Sequence, residues 1–222
     1  MNRLINIFFD LDGTLTDPKE GITRCIQYAL GELKVASPEQ EELVAFIGVP
    51  LRKMFERILD SNAEDLIERA VALYRQRFSD VGMFENKVYS GISEVLATLH
   101  RTSCNLYVVT SKPRVYAERI IEHFGLHKYF NQVCGPELDG RYDNKVELID
   151  FVLTENQLLP EKTVMIGDRK EDVIAGKSNK TFTMGVTYGY GGGKELLAAG
   201  VDYLCHSPYD IEKGLAYLNS NQ

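Results

Sequence analysis

Six short apolar runs, alternating along the chain with amphipathic helical patterns, constrain its fold more than any other feature. They lie at residues 4–9, 106–110, 132–134, 164–166, 182–186 and, more weakly, 203–205. The first, Leu4-Ile5-Asn6-Ile7-Phe8-Phe9, is mostly apolar, β-branched and aromatic and stops at Asp10, as a strand buried on both faces does. Between the later runs, residues 92–99, 115–124, 146–153, 173–178, 194–199 and 211–218 carry apolar side chains at helical spacing. Strand alternating with helix predicts an α/β protein, a Rossmann-like parallel sheet covered by helices on both faces. Ligands of such sheets sit outside the carboxyl ends of the strands, so reactive residues are expected there.

Residues 18–87 interrupt this alternation with helical patterns and no strand, which predicts an inserted all-helical domain within a core made of 1–17 and 88–222. Ile22, Cys25, Ile26, Ala29, Leu30 and Leu33 form one apolar stripe. Ser37-Pro38-Glu39-Gln40 reads as a capping-box start with proline at the first helical position. Helical patterns continue through 51–59 and 63–78, where Phe55, Tyr74 and Phe78, like Tyr28 before them, fall at the spacing of core packing. Hinges are expected in the connections at 17–21 and 80–91.

Polar clusters follow the strands. Asp10 and Asp12 come directly after the first run, and Gly13 and Thr14 let the loop turn with its amides aimed at one spot. Two carboxylates so spaced can serve one metal and one substrate, the first as nucleophile and the second as proton carrier; alone, they would read as a polar turn. Thr110 and Ser111 end the second run and can donate to an anion or cap the helix that follows, while Lys112 reads either as part of that cluster or as a solvated side chain. Lys145, at the start of a helix beginning near Asn144, gains meaning only from its place between these clusters and the next. In Gly167-Asp168-Arg169-Lys170-Glu171-Asp172, Asp168 and Asp172 offer the hard oxygen ligands that Mg²⁺ prefers, or an acidic helix start favoured by the macrodipole.

The formal charge of −7 gives no general footprint for nucleic acid, so an anionic substrate must be met locally by a metal and a few placed cations. The four cysteines are scattered singly and read as reduced core thiols. The apolar run at the N-terminus is too short for a membrane span or signal peptide, so a cytoplasmic protein, monomeric or homodimeric, is expected.

Taken in order, strand–Asp-x-Asp, strand–Thr-Ser, Lys145 and strand–Gly-Asp-x-x-x-Asp resemble the haloacid dehalogenase superfamily over nearly the whole chain. The resemblance implies a Rossmann-like core and identifies 18–87 with that family's α-helical cap. It implies that Asp10 attacks phosphorus to form an aspartyl-phosphate, and that Asp12 moves the proton and lends its carbonyl to Mg²⁺. Thr110 and Lys145 then hold the phosphoryl group, and Asp168 with Asp172 completes the metal site. Dehalogenases of the superfamily lack the second motif aspartate, so Asp12 favours phosphoryl transfer. Thr187-Tyr188-Gly189-Tyr190-Gly191 and neighbouring segments resemble the 5′-nucleotidase-like branch more than the phosphoglycolate phosphatases. The expected substrate is a small phosphorylated metabolite, selected by the cap, where Arg52 and Lys53 are candidate anion contacts or an exposed helix face. A sugar-phosphate mutase and a non-catalytic phospho-ligand sensor are the alternatives.

Overall fold

A computed structural model describes residues 4–102 and 104–220. The chain divides into two compact units, one formed by Met1–Asp17 and Val88–Gln222, the other by Pro18–Lys87. The strands are β1 (Asn6–Phe9), β2 (Thr16–Asp17), β3 (Lys87–Val88), β4 (Asn105–Val109), β5 (Gln132–Cys134), β6 (Thr163–Gly167), β7 (Phe182–Val186) and β8 (Tyr203–Cys205). Six of them form one sheet in the order β5-β4-β1-β6-β7-β8, with every pairing parallel. β2 and β3 form a separate two-residue ribbon that the apolar runs do not announce.

In chain order the helices are α1 (Lys19–Glu32), α2 (Gln40–Leu43), α3 (Leu51–Ile58), α4 (Glu64–Asp80), α5 (Ile92–Arg101), α6 (Arg114–His123), α7 (Lys145–Glu155), α8 (Lys170–Ser178), α9 (Gly192–Ala198) and α10 (Asp210–Ser220). Side chains alternate across the sheet. Phe8, Tyr107, Val109 and Met165 join Leu148, Ile149 and Val152 of α7 and Ala175 of α8 in one buried cluster. Ile7, Phe9, Leu106, Val108 and Ile166, one place along each strand and so on the other face, are equally buried. That two-sided burial is why the central runs are continuously apolar rather than alternating.

In the helical unit α1 packs on α4 and α3 on α4. Cys25, Ile26, Ala29, Leu30, Phe55, Ile67 and Ala70 are buried, whereas Leu33 at the end of the expected stripe is only half-buried. Tyr74 stacks on Phe78 at 5.5 Å and meets Phe55 edge-on, so these aromatics pack the interior; Tyr28 is half-buried. The capping box expected at Ser37 does not form. Glu39 is extended, with φ −64° and ψ 154°, and α2 starts only at Gln40, whose side chain instead donates to Thr23 of α1. Four residues with Leu43 as their one buried anchor do not sustain a longer helix. Among the described residues no helix is long and apolar enough to cross a membrane.

Candidate active site

Three adjacent central strands deliver the reactive side chains to one end of the sheet. Asp10 follows β1 directly, and its N–H donates to the Ile166 carbonyl of β6 at 2.8 Å. Thr110 follows β4, with its N–H on the Cys134 carbonyl at 3.0 Å, and Asp168 follows β6. Strand pairing therefore continues right up to Asp10 and Thr110, and it fixes where their side chains begin. Lys145 is the first residue of α7, placed by an N-cap in which the Asn144 side chain accepts from the Val146 N–H at 2.9 Å. Asp172, in the first turn of α8, accepts from the Arg169 N–H at 3.0 Å and so caps its own helix.

The charges are tightly paired. The buried Lys145 ammonium lies 3.0 Å from Asp10 Oδ1 and also bonds Asp172 Oδ1. Burial alone would lower the Lys145 pKa, but Asp10 and Asp172 override it and raise it, so this lysine stays charged. Asp12 is paired with Lys112 at 2.7 Å. Of the two readings left open for Lys112, the solvated one falls: its ammonium is buried against a carboxylate. Burial pushes the Asp12 carboxyl up, more than Lys112 pulls it down, so Asp12 holds a proton more readily than an ordinary aspartate.

One oxygen of Asp10, of Asp168 and of Asp172 lie within 4.8 Å of one another. Asp168 is wholly buried, and burial followed by the neighbouring Asp10 and Asp172 charges raises its pKa well above the usual range. Its Oδ2 accepts from the Tyr190 N–H at 2.7 Å, while its Oδ1 is buried with no hydrogen-bond donor among the described residues. Four carboxylates, Asp10, Asp12, Asp168 and Asp172, thus face two ammonium groups, Lys112 and Lys145. Such a negative excess out of water is costly, and an orphaned oxygen in a hard-oxygen donor set suits a divalent cation. The residues fit a metal.

Ser111 is exposed, beside the buried Thr110 and Lys112. Arg52 lies in the helical unit, where Glu64 accepts from it at 2.7 Å and Glu68 forms a second ion pair; Lys53 is exposed. Sequence reasoning missed the part played by the loop after β7. A Cβ on Gly189 would lie 2.3 Å from the Gly13 carbonyl oxygen and 2.4 Å from Asp168 Cβ, so only glycine allows this approach. Gly13 itself has φ +84°, and a side chain there would strike Asp168 Oδ2. The glycines of 189–193 behind a strand were the available signal. Gly189→Ala should destabilise the fold by about 1–3 kcal/mol and displace Asp168, which urea unfolding and a weakened response to divalent metal would report.

Residues 7–186 match the haloacid dehalogenase-like hydrolases. The chain belongs to that family. Within it, a 5′-nucleotidase of Pseudomonas aeruginosa is 43% identical over 203 residues, 91% of each chain. A phosphoglycolate phosphatase of Vibrio parahaemolyticus is 26% identical over 208 residues, 90% of this chain and 91% of its own. The crystal structure of a predicted phosphatase from Clostridium acetobutylicum superposes with a TM-score of 0.91 at 37% identity, covering 97% of this chain and 99% of that one. The haloacid dehalogenase-like chain described here is accordingly an enzyme of the phosphatase kind, on the Rossmann-type sheet its family shares.

Proposed function

We propose that the chain hydrolyses small phosphomonoesters in a Mg²⁺-dependent reaction that passes through a phosphoryl group carried on Asp10. The observation that carries this reading is the meeting, at one end of the sheet, of an Asp10 carboxylate steadied by Lys145 and an Asp12 carboxyl inclined by burial to keep its proton. An Asp10 oxygen attacks phosphorus as the ester P–O bond breaks, and the departing oxygen takes the Asp12 proton. Asp12, now a carboxylate, accepts a proton from water as that water's oxygen attacks phosphorus. The P–O bond to Asp10 then breaks, releasing inorganic phosphate and restoring both residues.

Lys145 and Thr110 hold phosphoryl oxygens, and Lys112 steadies Asp12 between its two tasks. Asp10, Asp168 and the Asp12 carbonyl would hold Mg²⁺, with Asp172 closing the acidic set; bound there, the ion supplies charge neutralisation to the phosphate. These residues recognise only a phosphoryl group, so selection among esters is assigned to the helical unit, residues 18–87, read as the cap. Arg52, already engaged by Glu64 and Glu68, would have to exchange those partners to meet a substrate anion.

The proton role is tested with Asp12→Asn and p-nitrophenyl phosphate, whose leaving group needs no acid. Rapid mixing with MgCl₂ should show a burst of about one p-nitrophenolate per site, then turnover slowed by about 10²–10⁴-fold because no base activates water. Turnover equal to the unsubstituted enzyme would remove Asp12 from the reaction. With sugar phosphates, rearranged ester in place of inorganic phosphate would identify a mutase.

A further inference from the structure

We propose that Tyr190 is a positioning residue for Asp168: its backbone N–H fixes the carboxylate, and its hydroxyl, held by Asp17 and Tyr89, fixes the loop that carries that N–H. The inference rests on the Mg²⁺ reading above and concerns a residue outside the set assigned there to substrate and metal.

Residues 187–191 run between β7 and α9; beyond the Thr187 N–H, which still pairs with the Cys205 carbonyl of β8, the loop leaves the sheet and at Gly189 and Gly191 passes so close to Asp168 that a Cβ would collide with it. Tyr190 stitches the loop down at two points. Its N–H donates to Asp168 Oδ2 at 2.7 Å, and its hydroxyl donates to Asp17 Oδ1. The Tyr190 hydroxyl also bonds the Tyr89 hydroxyl.

The neighbouring Tyr188 reinforces the arrangement. Its hydroxyl donates to the Thr14 carbonyl at 3.1 Å, and its ring meets Tyr89 edge-on at 5.0 Å. One loop is thereby tied both to the segment that carries Asp12, Gly13 and Asp17 and to the metal-facing Asp168. A carboxylate turns freely about its last torsion unless something holds one oxygen. With Oδ2 held by the Tyr190 N–H, Asp168 presents Oδ1, the oxygen that is buried without a donor. Partners that orient a metal ligand in this way typically change metal affinity by 10–100-fold when removed.

The experiment measures metal binding without turnover, by thermal denaturation of EDTA-stripped enzyme titrated with MgCl₂ in the absence of substrate. Tyr190→Phe keeps the N–H and loses the hydroxyl. It should raise the half-saturating MgCl₂ concentration by about 10-fold while the metal-free melting temperature falls by no more than roughly 4 °C. Asp17→Ala should produce the same shift, Asp17→Asn should restore the wild-type midpoint because its amide oxygen still accepts, and the Tyr190→Phe/Asp17→Ala double variant should shift no further than either single one. An unshifted midpoint in Tyr190→Phe, or additive shifts in the double variant, would overturn the inference while leaving the metal site standing. If the wild-type melting temperature does not respond to MgCl₂ at all, the metal reading fails and this inference goes with it.

Discussion

Asp10→Asn should release no measurable inorganic phosphate from p-nitrophenyl phosphate in the presence of MgCl₂, a loss on the order of 10⁴-fold or more. The amide is neutral and a poor nucleophile toward phosphorus, so the first P–O bond never forms. The fold should survive, because the substitution is isosteric and the amide oxygen can still accept from the buried Lys145, which also keeps Asp172. Asp10→Ala is the poorer test, since an ammonium out of water would lose one of its two compensating partners, at a cost approaching the roughly 3–5 kcal/mol of a broken buried pair. Rapid mixing separates the two aspartates. Asp12→Asn should give a burst of p-nitrophenolate and then stall, whereas Asp10→Asn should give no burst, with an unchanged melting curve showing that the protein is folded. A burst from Asp10→Asn would place the nucleophile elsewhere.

Residues set by local chemistry were legible in the sequence. A strand that ends in a charged residue announces itself by the apolar run before it, so Asp10, Thr110 and Asp168 could be placed at the carboxyl ends of β1, β4 and β6 without coordinates. Lys145 was legible only through its place between the clusters after β4 and β6, at the start of a helix that Asn144 caps. The environment of Lys112 was not. Its burial depends on Asp12, a hundred residues away, and nothing near Lys112 signals an acidic partner. Tyr190 was hidden for the same reason, since its two functions come from Asp168 and Asp17 in separate parts of the chain. The Ser37 capping box failed in the opposite direction: the local pattern was present, but the helix behind it runs only from Gln40 to Leu43, with Leu43 its one buried side chain, before Val44–Phe46 tightens into a 3-10 turn. Spacing along the chain identifies what can react, while pairing between distant segments decides which atoms are free to do so.

Asp168→Asn should make the metal-free enzyme more stable and the enzyme useless. In EDTA the wild type buries Asp10, Asp168 and Asp172 together, and burial and mutual repulsion raise the Asp168 pKa well above the usual carboxylate range. An asparagine there can keep its oxygen on the Tyr190 N–H and turn its amide hydrogens toward the neighbouring carboxylates, replacing repulsion with donation. The sign of the pH dependence follows from linkage. Unfolded aspartate ionises near pH 4, whereas folded Asp168 resists, so its burden on the fold is absent below that pH. The burden grows as pH rises toward the raised folded pKa and is constant above it. The stability advantage of Asp168→Asn in EDTA should therefore be larger at pH 8 than at pH 4, measured by urea unfolding at both. Saturating MgCl₂ should reverse the ranking, since a ligand at 100 times its dissociation constant adds about 2.7 kcal/mol to the protein that binds it and nothing to the one that does not. Each kcal/mol moves the melting temperature of a chain this size by about 2–4 °C, so the crossover is readable in a single titration. An Asp168→Asn protein that is less stable than wild type in EDTA, or that still gains stability from MgCl₂, would mean that these carboxylates are arranged for the fold and not for a cation.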